Sequence, residues 1–383
     1  TSLAKLAPSH CRRLAGRSKG ELSIWRDTKK VFFAKLQDLH QVWDSVSWKI
    51  AQGRDNPACA DMEHAAIGDP QDAGLHLHLT DIFKQNWQVA GIESASNAMN
   101  LGATGGIQLA TSGSQNAPTV LTQRPRVAIL REQGVNSHIE MAYCFDAAGF
   151  EAIDVHMTDL QTGRVRLADM QGLVACGGFS YGDTLGAGIG WARSITFNAQ
   201  LRDQFEGFFK RDSSFGLGVC NGCQMFAELA EIIPGAQDWP RFTHNVSARF
   251  EARLSMVEVL DSPSLFFKDM ADCRIPIAVA HGEGFANFDA GQGGRGNSER
   301  VISSMRFVNN QGQATEQYPA NPNGSPGGLT AVTTADGRFT AMMPHPERVF
   351  RNVQMSWNPS ASGSLEAHSP WIQMWRNARN WLG

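Results

Sequence analysis

The sequence predicts an α/β fold: a doubly wound, mostly parallel sheet with an antiparallel-strand addition and an N-terminal helical and connector segment. Three observations lead there. From Arg124 to Val219, short apolar runs alternate with helical stretches of about a dozen residues, the pattern of a parallel sheet flanked by helices. From Arg249 onward the pattern becomes period-two alternation, as in Arg249-Phe-Glu-Ala-Arg-Leu-Ser-Met-Val-Glu-Val-Leu260, which suits antiparallel strands. Before Arg124 neither pattern holds.

At 383 residues the chain has room for two or three domains. With 42% hydrophobic and 19% charged residues it has the composition of an ordinary soluble globular protein. A net charge of -3 gives no electrostatic reason to expect nucleic acid or an acidic membrane. No apolar run reaches membrane-span length, and no basic-then-apolar leader opens the chain. Seven thinly spread cysteines read as reduced thiols, which points to the cytoplasm. The chain opens on Thr1, so a processed chain or, in preference, the tail of a longer polypeptide is expected.

In chain order, residues 1–57 are read as a helical segment. Val31-Phe-Phe-Ala-Lys-Leu-Gln-Asp-Leu-His-Gln-Val-Trp-Asp-Ser-Val46 has helical spacing, and Arg54-Asp-Asn-Pro57 should end that helix. Its cations, Arg12, Arg13, Arg17, Lys19, Lys29 and Lys30, read as a solvated face; the sharper reading is a docking surface. Residues 58–123 are expected to be a connector and flexible linker, acidic at first and then rich in small polar residues. Leu75-His-Leu-His-Leu79 reads as an edge strand rather than a metal site, since no third ligand lies at a useful spacing. Gly102-Ala-Thr-Gly-Gly106 lacks the Gly-Lys-Ser/Thr ending of a phosphate loop.

Residues 124–383 form the main domain in this reading. Its strands are Arg126–Leu130, Glu151–His156, Leu173–Cys176 and Phe215–Val219, with helices over Ser137–Ala148 and Ser194–Lys210. Later come strands over Ile275–Ala280, Thr330–Thr334 and Phe339–Met343, and a Trp-rich tail helix, Ser369–Leu382, that packs back on the sheet. In such sheets function gathers where the strands end. Three glycine-rich corners lie there: Gln133–Asn136, Gly177–Asp183 and the turn at Cys220.

Phe215-Gly-Leu-Gly-Val-Cys220-Asn-Gly-Cys-Gln224 ends an apolar run at a cysteine flanked by glycines, with helix formers immediately after. That is a strand, a tight turn and a helix with a nucleophile at the bend. The base would be His345, fixed between Pro344 and Pro346, and Glu347 projects to the same side of an extended segment as its orienting acid. Each signal alone is common. Cys220-x-x-Cys223 also invites a redox reading, but the surrounding sequence favours a packed Cys223.

Together, Gly218-Val-Cys-Asn-Gly-Cys-Gln224 and Pro344-His-Pro-Glu347 resemble the triad glutaminase of the class I glutamine amidotransferases. Leu130-Arg-Glu-Gln-Gly-Val-Asn-Ser137, Gly177-Gly-Phe-Ser-Tyr-Gly-Asp183, His281-Gly-Glu-Gly284, Tyr318-Pro-Ala-Asn-Pro-Asn-Gly-Ser325 and Met343–Phe350 resemble the phosphoribosylformylglycinamidine synthase family in its large single-chain form. The resemblance is dense from about residue 124 to the end and patchy before it. It implies a sheet of the class I amidotransferase type, with Cys220 attacking the glutamine carboxamide, His345 moving the proton and Glu347 supporting the ring. It implies an oxyanion site from the backbone of Asn221 and of the Gly178–Phe179 turn, with Gln224 and Tyr181 as substrate-positioning groups. It implies no metal or cofactor in this chain; ATP and Mg belong to an upstream synthetase domain, to which residues 1–57 would connect. One departure stands out: Ile189 occupies a position in Gly186-Ala-Gly-x-Gly-Trp191 that is usually acidic in the family. Two other readings remain open at this stage, a stand-alone cysteine amidohydrolase and a non-catalytic docking or regulatory module of the same fold.

Overall fold

A computed structural model of the chain describes residues 13–14, 20–26, 28–85, 124–356 and 367–383. The linker reading of residues 86–123, with its Gly102–Gly106 loop, lies outside them, as do Arg12, Arg17 and Lys19.

The N-terminal segment corrects the helical expectation. It opens as a small antiparallel sheet of β1 (Arg13–Leu14), β2 (Glu21–Arg26) and β3 (Lys29–Lys35), and only then enters α1 (Leu36–Arg54). Val31, Phe32 and Phe33 fit a helical period, but branched and aromatic residues also favour a pleated strand, and β2 offers a partner. Ser23 pairs with Phe33 and Ile24 with Phe32. Helix α1 does stop before Asn56-Pro57; Asn56 caps α2 (Pro57–Ile67) by accepting from the Ala58 N–H at 3.0 Å. Farther on, His78 forms an isolated antiparallel bridge with Arg274, so this short run does lie on a sheet edge.

The main domain begins with β4 (Arg126–Arg131), α3 (His138–Ala147), β5 (Glu151–His156), α4 (Met157–Gln161) and β6 (Gly172–Ala175). It continues through α5 (Ile189–Thr196), α6 (Ala199–Lys210), β7 (Phe215–Val219) and α7 (Asn221–Glu228). The single helix expected over Ser194–Lys210 is two. Asn198 breaks it, because its side-chain oxygen accepts from the Leu201 N–H and caps α6. Then come β8 (Arg241–Thr243), β9 (Glu251–Val259), β10 (Arg274–His281), β11 (Phe285–Asn287), β12 (Ile302–Phe307), β13 (Leu329–Thr333), β14 (Phe339–Met342) and α8 (Gln373–Trp381). The short β8 and β11 pair with each other, and these two and β12 carried no clear sequence signal.

Nine strands form one sheet in the order β10-β9-β12-β13-β14-β7-β6-β4-β5. From β14 to β5 every pairing is parallel, and from β10 to β14 every pairing is antiparallel. Helices cover both faces of the parallel part. Phe215 of β7 packs against Phe145 of α3, which in turn meets Trp375 of α8 edge-on. Phe339, in register with Gly216, packs edge-on against Phe209 of α6, and Phe209 against Phe226 of α7. Neighbouring residues 215 and 216 point to opposite faces, so these two aromatic clusters are the two interfaces of a doubly wound sheet. The tail packs back as expected: Trp371 and Trp375 are fully buried, and the Trp371 indole donates to the Pro276 carbonyl at 2.8 Å.

Candidate active site

Parallel strands all end on one side, so loops far apart in sequence become neighbours there. The turns after β4, β6, β7 and β14 meet in this way, and the last residues of β10 reach the same place from the antiparallel half: Ala278 bridges His345.

Strand β7 buries all its residues and stops at Cys220. Cys220 itself takes a positive φ, with φ 53° and ψ −110°. Such a backbone costs a residue with a side chain about 1–3 kcal/mol and persists only where the surroundings impose it. The flanking glycines supply close approach rather than unusual dihedrals. A Cβ on Gly222 would run into the Ala175 carbonyl of β6, and one on Gly218 would lie 2.6 Å from the Gly222 carbonyl. Helix α7 therefore starts pressed against the sheet, with its first N–H groups, which have no intrahelical acceptor, at the cysteine turn.

His345 donates its backbone N–H to the Ala278 carbonyl at 2.8 Å. Its Nδ1 lies 2.6 Å from Glu347 Oε1, and both side chains are buried. A Cβ on Gly177 would meet His345 Cε1 at 2.5 Å and Cys220 Cβ at 3.2 Å, so this glycine leaves the space in which ring and cysteine face each other. Burial alone would lower the imidazole pKa, but the Glu347 carboxylate and the Cys220 sulfur hold it above the ordinary value. The sulfur points toward the Ala280 carbonyl at 3.6 Å, and His345 Nε2 makes no well-formed hydrogen bond among the described residues. Catalytic hydrogen bonds are commonly misaligned until substrate arrives.

The corner after β6 narrows the expected pair of backbone residues to one. Phe179 donates its N–H to the Gly134 carbonyl at 2.9 Å, so it is already engaged, which corrects its place as a backbone donor. The Asn136 N–H donates to the Gly177 carbonyl at 3.0 Å, and these two bonds flank Gly178. In an antiparallel bridge of this type the central residue turns its own N–H away from the partner strand. Gly178 lines the cavity at φ 150°, and a Cβ there would lie 2.5 Å from Val135 Cα. Only glycine fits. Phe179 contributes its half-exposed ring to the cavity instead, 5.9 Å from the ring of Phe250.

Asn221 and Gln224 are buried at the start of α7. Asn221 accepts from the Ser180 N–H at 3.2 Å and donates to Gln224 Oε1 at 3.2 Å, which joins the helix start to the Gly178 corner. Gln224 donates to the Glu283 carbonyl at 2.7 Å and lines the cavity. Tyr181, expected as a substrate-positioning group, is turned toward the loop after β4. It is absent from the cavity lining, and its hydroxyl donates to Glu132 Oε2 at 2.8 Å, pinning the corner to the loop after β4. Ile189 opens α5 with its side chain against Gly186. Cys223 is fully buried, and burial raises its thiol pKa well above the usual range, the state of a packed residue.

The cavity beside Cys220 has a volume of about 530 Å³ and includes residues that sequence reasoning missed. Asp183 and Glu283 stand together on its wall; burial and then Glu283 push Asp183 up to about 6. Among the described residues Asp183 has no ion-pair partner, while Glu283 has only the exposed His244 at 3.3 Å. His281 is buried in the cavity wall, and burial and then the His345 charge push it down to about 3. Asn323 Oδ1 accepts from both the N–H and the hydroxyl of Ser325, so its amide NH₂ is turned toward His281 Nε2, at 3.3 Å. That leaves His281 neutral with its proton on Nδ1. Asp183 and His281 both lay within quoted motifs, but nothing local marked them as cavity residues. In the wall formed by residues 244–250, positions 244–248 had no sequence signal, and Arg249 and Phe250, expected to open a strand, precede β9.

Residues 124–382 match the CobB/CobQ-like glutamine amidotransferase domain. Among solved structures, PurLQS from Thermotoga maritima is similar with a TM-score of 0.50 and 22% identity, over 68% of this chain and 100% of that one. A glutamine amidotransferase from Thermotoga maritima gives 0.35 and 16%, over 59% and 77%. The first of these supports the fold; the family match spans most of the chain and includes every strand of the nine-stranded sheet. The chain belongs to the CobB/CobQ-like glutamine amidotransferase family.

Proposed function

We propose that the chain is the glutaminase part of a phosphoribosylformylglycinamidine synthase. It would hydrolyse glutamine through Cys220, His345 and Glu347 and deliver the ammonia for conversion of formylglycinamide ribonucleotide to formylglycinamidine ribonucleotide in purine biosynthesis. The observation that carries the glutaminase step is a cysteine on a strained turn facing a buried His345–Glu347 pair across Gly177.

In this reading Cys220 Sγ attacks the carboxamide carbon and the carbonyl oxygen gains the charge. The N–H groups of Gly178 and Asn221 donate to that oxyanion. His345 takes the proton of the Cys220 thiol and passes it to the amide nitrogen, which leaves as ammonia, and Glu347 keeps Nδ1 protonated and the ring aligned. Water then attacks the γ-glutamyl thioester and frees Cys220. The neighbouring acids Asp183 and Glu283 on the cavity wall suit the α-ammonium of glutamine.

The nucleotide substrate rests on the quoted motifs and on the likeness to PurLQS. ATP with Mg would activate the amide oxygen of that substrate in the synthetase portion, and this chain would contribute ammonia alone. An exposed apolar stripe on α1, Val42, Trp43, Val46 and Ile50, supports docking of that portion here. Among the described residues no helix is long and apolar enough to cross a membrane, and six free, buried cysteines suit the cytoplasm.

The test is ammonia release from glutamine by the chain and by Cys220→Ala, which should lower kcat at least about a thousandfold. Turnover that survives the substitution would sink the triad assignment. Failure of Cys220 to react with a glutamine-like electrophile would favour the non-catalytic docking module. Coupling to the purine substrate is read as amidine formation from glutamine once the synthetase portion is supplied.

A further inference from the structure

Residues 244–250 join β8 to β9 as an irregular segment with two faces. Inward, His244, Asn245, Ala248, Arg249 and Phe250 line the cavity beside Cys220. The segment is tied to the end of β10, where Asn245 donates to the His281 carbonyl at 2.8 Å and accepts from the Gly284 N–H at 2.9 Å. Ala248 sits at φ 58°, unfavourable for a residue with a Cβ, so the surroundings hold this wall in a shape it would not adopt alone.

Outward, the segment is gripped by the junction of α1 and α2. Asn56, while capping α2, donates its side-chain amide to the Val246 carbonyl at 2.8 Å and its backbone N–H to the Ser247 carbonyl at 3.1 Å. The Arg249 guanidinium lies 3.7 Å from Asp55 and 3.6 Å from Glu63, one carboxylate from each side of the junction, and 3.2 Å from the buried Glu251. Arg249 thus belongs to the cavity wall and to the connector's ion cluster at once. The α1–α2 junction therefore bears directly on the wall facing Phe179.

We propose that Asp55, Asn56 and Glu63 are positioning residues of the glutamine cavity. Acting through the Val246 and Ser247 carbonyls and through Arg249, they set how far the wall carrying Phe250 stands from the ring of Phe179 and from Cys220. The helical connector therefore tunes access to the nucleophile without touching substrate, and whatever moves the junction moves the wall. This rests on the glutaminase reading for its substrate, while the coupling itself concerns Cys220 access.

The experiment compares the parent chain with Asn56→Asp, which keeps the cap on α2 but removes the amide donor, and with the double variant Asp55→Asn, Glu63→Gln. Two readouts are taken at matched thermal melting. The first is the alkylation rate of Cys220 by iodoacetamide, followed by mass spectrometry, which needs no glutaminase activity. The second is KM and kcat for glutamine. Both variants should change the alkylation rate, and raise KM, about fivefold or more with kcat nearly unchanged. Restoring an amide donor with Asn56→Gln should recover part of the KM effect. Alkylation within twofold of the parent in a folded variant overturns the coupling, as does a fall in kcat at constant KM. A parent chain that alkylates differently from its variants yet never turns over glutamine would leave the coupling standing and refute the glutaminase reading. Should Asn56→Asp fail to fold, the double variant, which leaves the cap intact, decides.

Discussion

Cys220 carries its strain because three neighbours leave it no other place: the Ala175 carbonyl against Gly222, the Gly222 carbonyl against Gly218, and the ring of His345 against Gly177. What distinguishes it from the five other free cysteines described is this setting, since all six are buried. In the proposed mechanism Glu347 acts through the His345 ring it bonds, so Glu347→Gln should lower kcat for glutamine by about a hundredfold or more while KM moves little. Steady-state kinetics check this, and a kcat within threefold of the parent would show that the carboxylate is structural. Asp183 gives a pH prediction. With its carboxyl raised to about 6, it loses its charge as pH falls through that value, and with it the attraction for an ammonium. kcat/KM for glutamine should therefore fall on the acid side of about 6, and Asp183→Asn should be low and flat across the same range. A group whose folded pKa lies above its unfolded value binds protons more tightly when folded, so this titration itself adds stability as pH falls. An acid limb persisting in Asp183→Asn would assign it to another group.

Elements place these residues by backbone contact more than by side-chain packing. The Gln133–Asn136 turn and the Gly177–Asp183 corner are joined by main-chain bonds, leaving Gly178 to face the cavity. A methyl at Gly178 would press on Val135 Cα and on the Gly134 carbonyl, at 2.5 and 2.7 Å, neither of which can yield without moving the turn. Gly178→Ala should lower kcat by about a hundredfold through the displaced N–H. Gly222→Ala acts differently: its clash with the β6 carbonyl should cost about 1–3 kcal/mol of stability and lower Tm, with activity lost as α7 lifts from the sheet. Kinetics and melting of the two variants separate the effects. Equal loss of stability in both would mean that Gly178 serves packing alone.

At the scale of the whole molecule, the connector and the sheet are fastened by an ion network around Glu251, which has no exposed surface. Arg253 bonds Glu251 at 2.8 Å and Glu63 of α2 at 2.8 Å, and Tyr318 donates to Glu251 at 3.1 Å. Burial, joined by Glu251 and Glu63 and opposed by Arg253, keeps the Tyr318 hydroxyl protonated far into the alkaline range. Removing one member of a buried ion cluster strands the others, which typically costs about 3–5 kcal/mol. Glu251→Gln should accordingly lower the melting temperature sharply. If α2 and the sheet unfold as one unit, a single transition will shift; two separate transitions would show that the connector folds independently.

The sequence alone settled what depends on local chemistry. Apolar runs bounded by turn residues marked β4, β5 and β7 almost to the residue; a cysteine between glycines and a His-Pro-Glu after a strand marked the groups proposed to react, which the fold brings face to face. Those signals survive in one dimension because backbone sterics and i, i+2 geometry are properties of short segments. Tertiary structure decided the rest. It drew Val31–Lys35 into a strand because β2 was there to pair with it, and bound the Phe179 N–H to Gly134, leaving Gly178 to face the cavity. It turned Tyr181 toward Glu132, and set Asp183 beside Glu283, residues a hundred positions apart. Each of these is fixed by a partner distant in the chain, and no local pattern encodes which distant partner a hydrogen bond or a charge will meet.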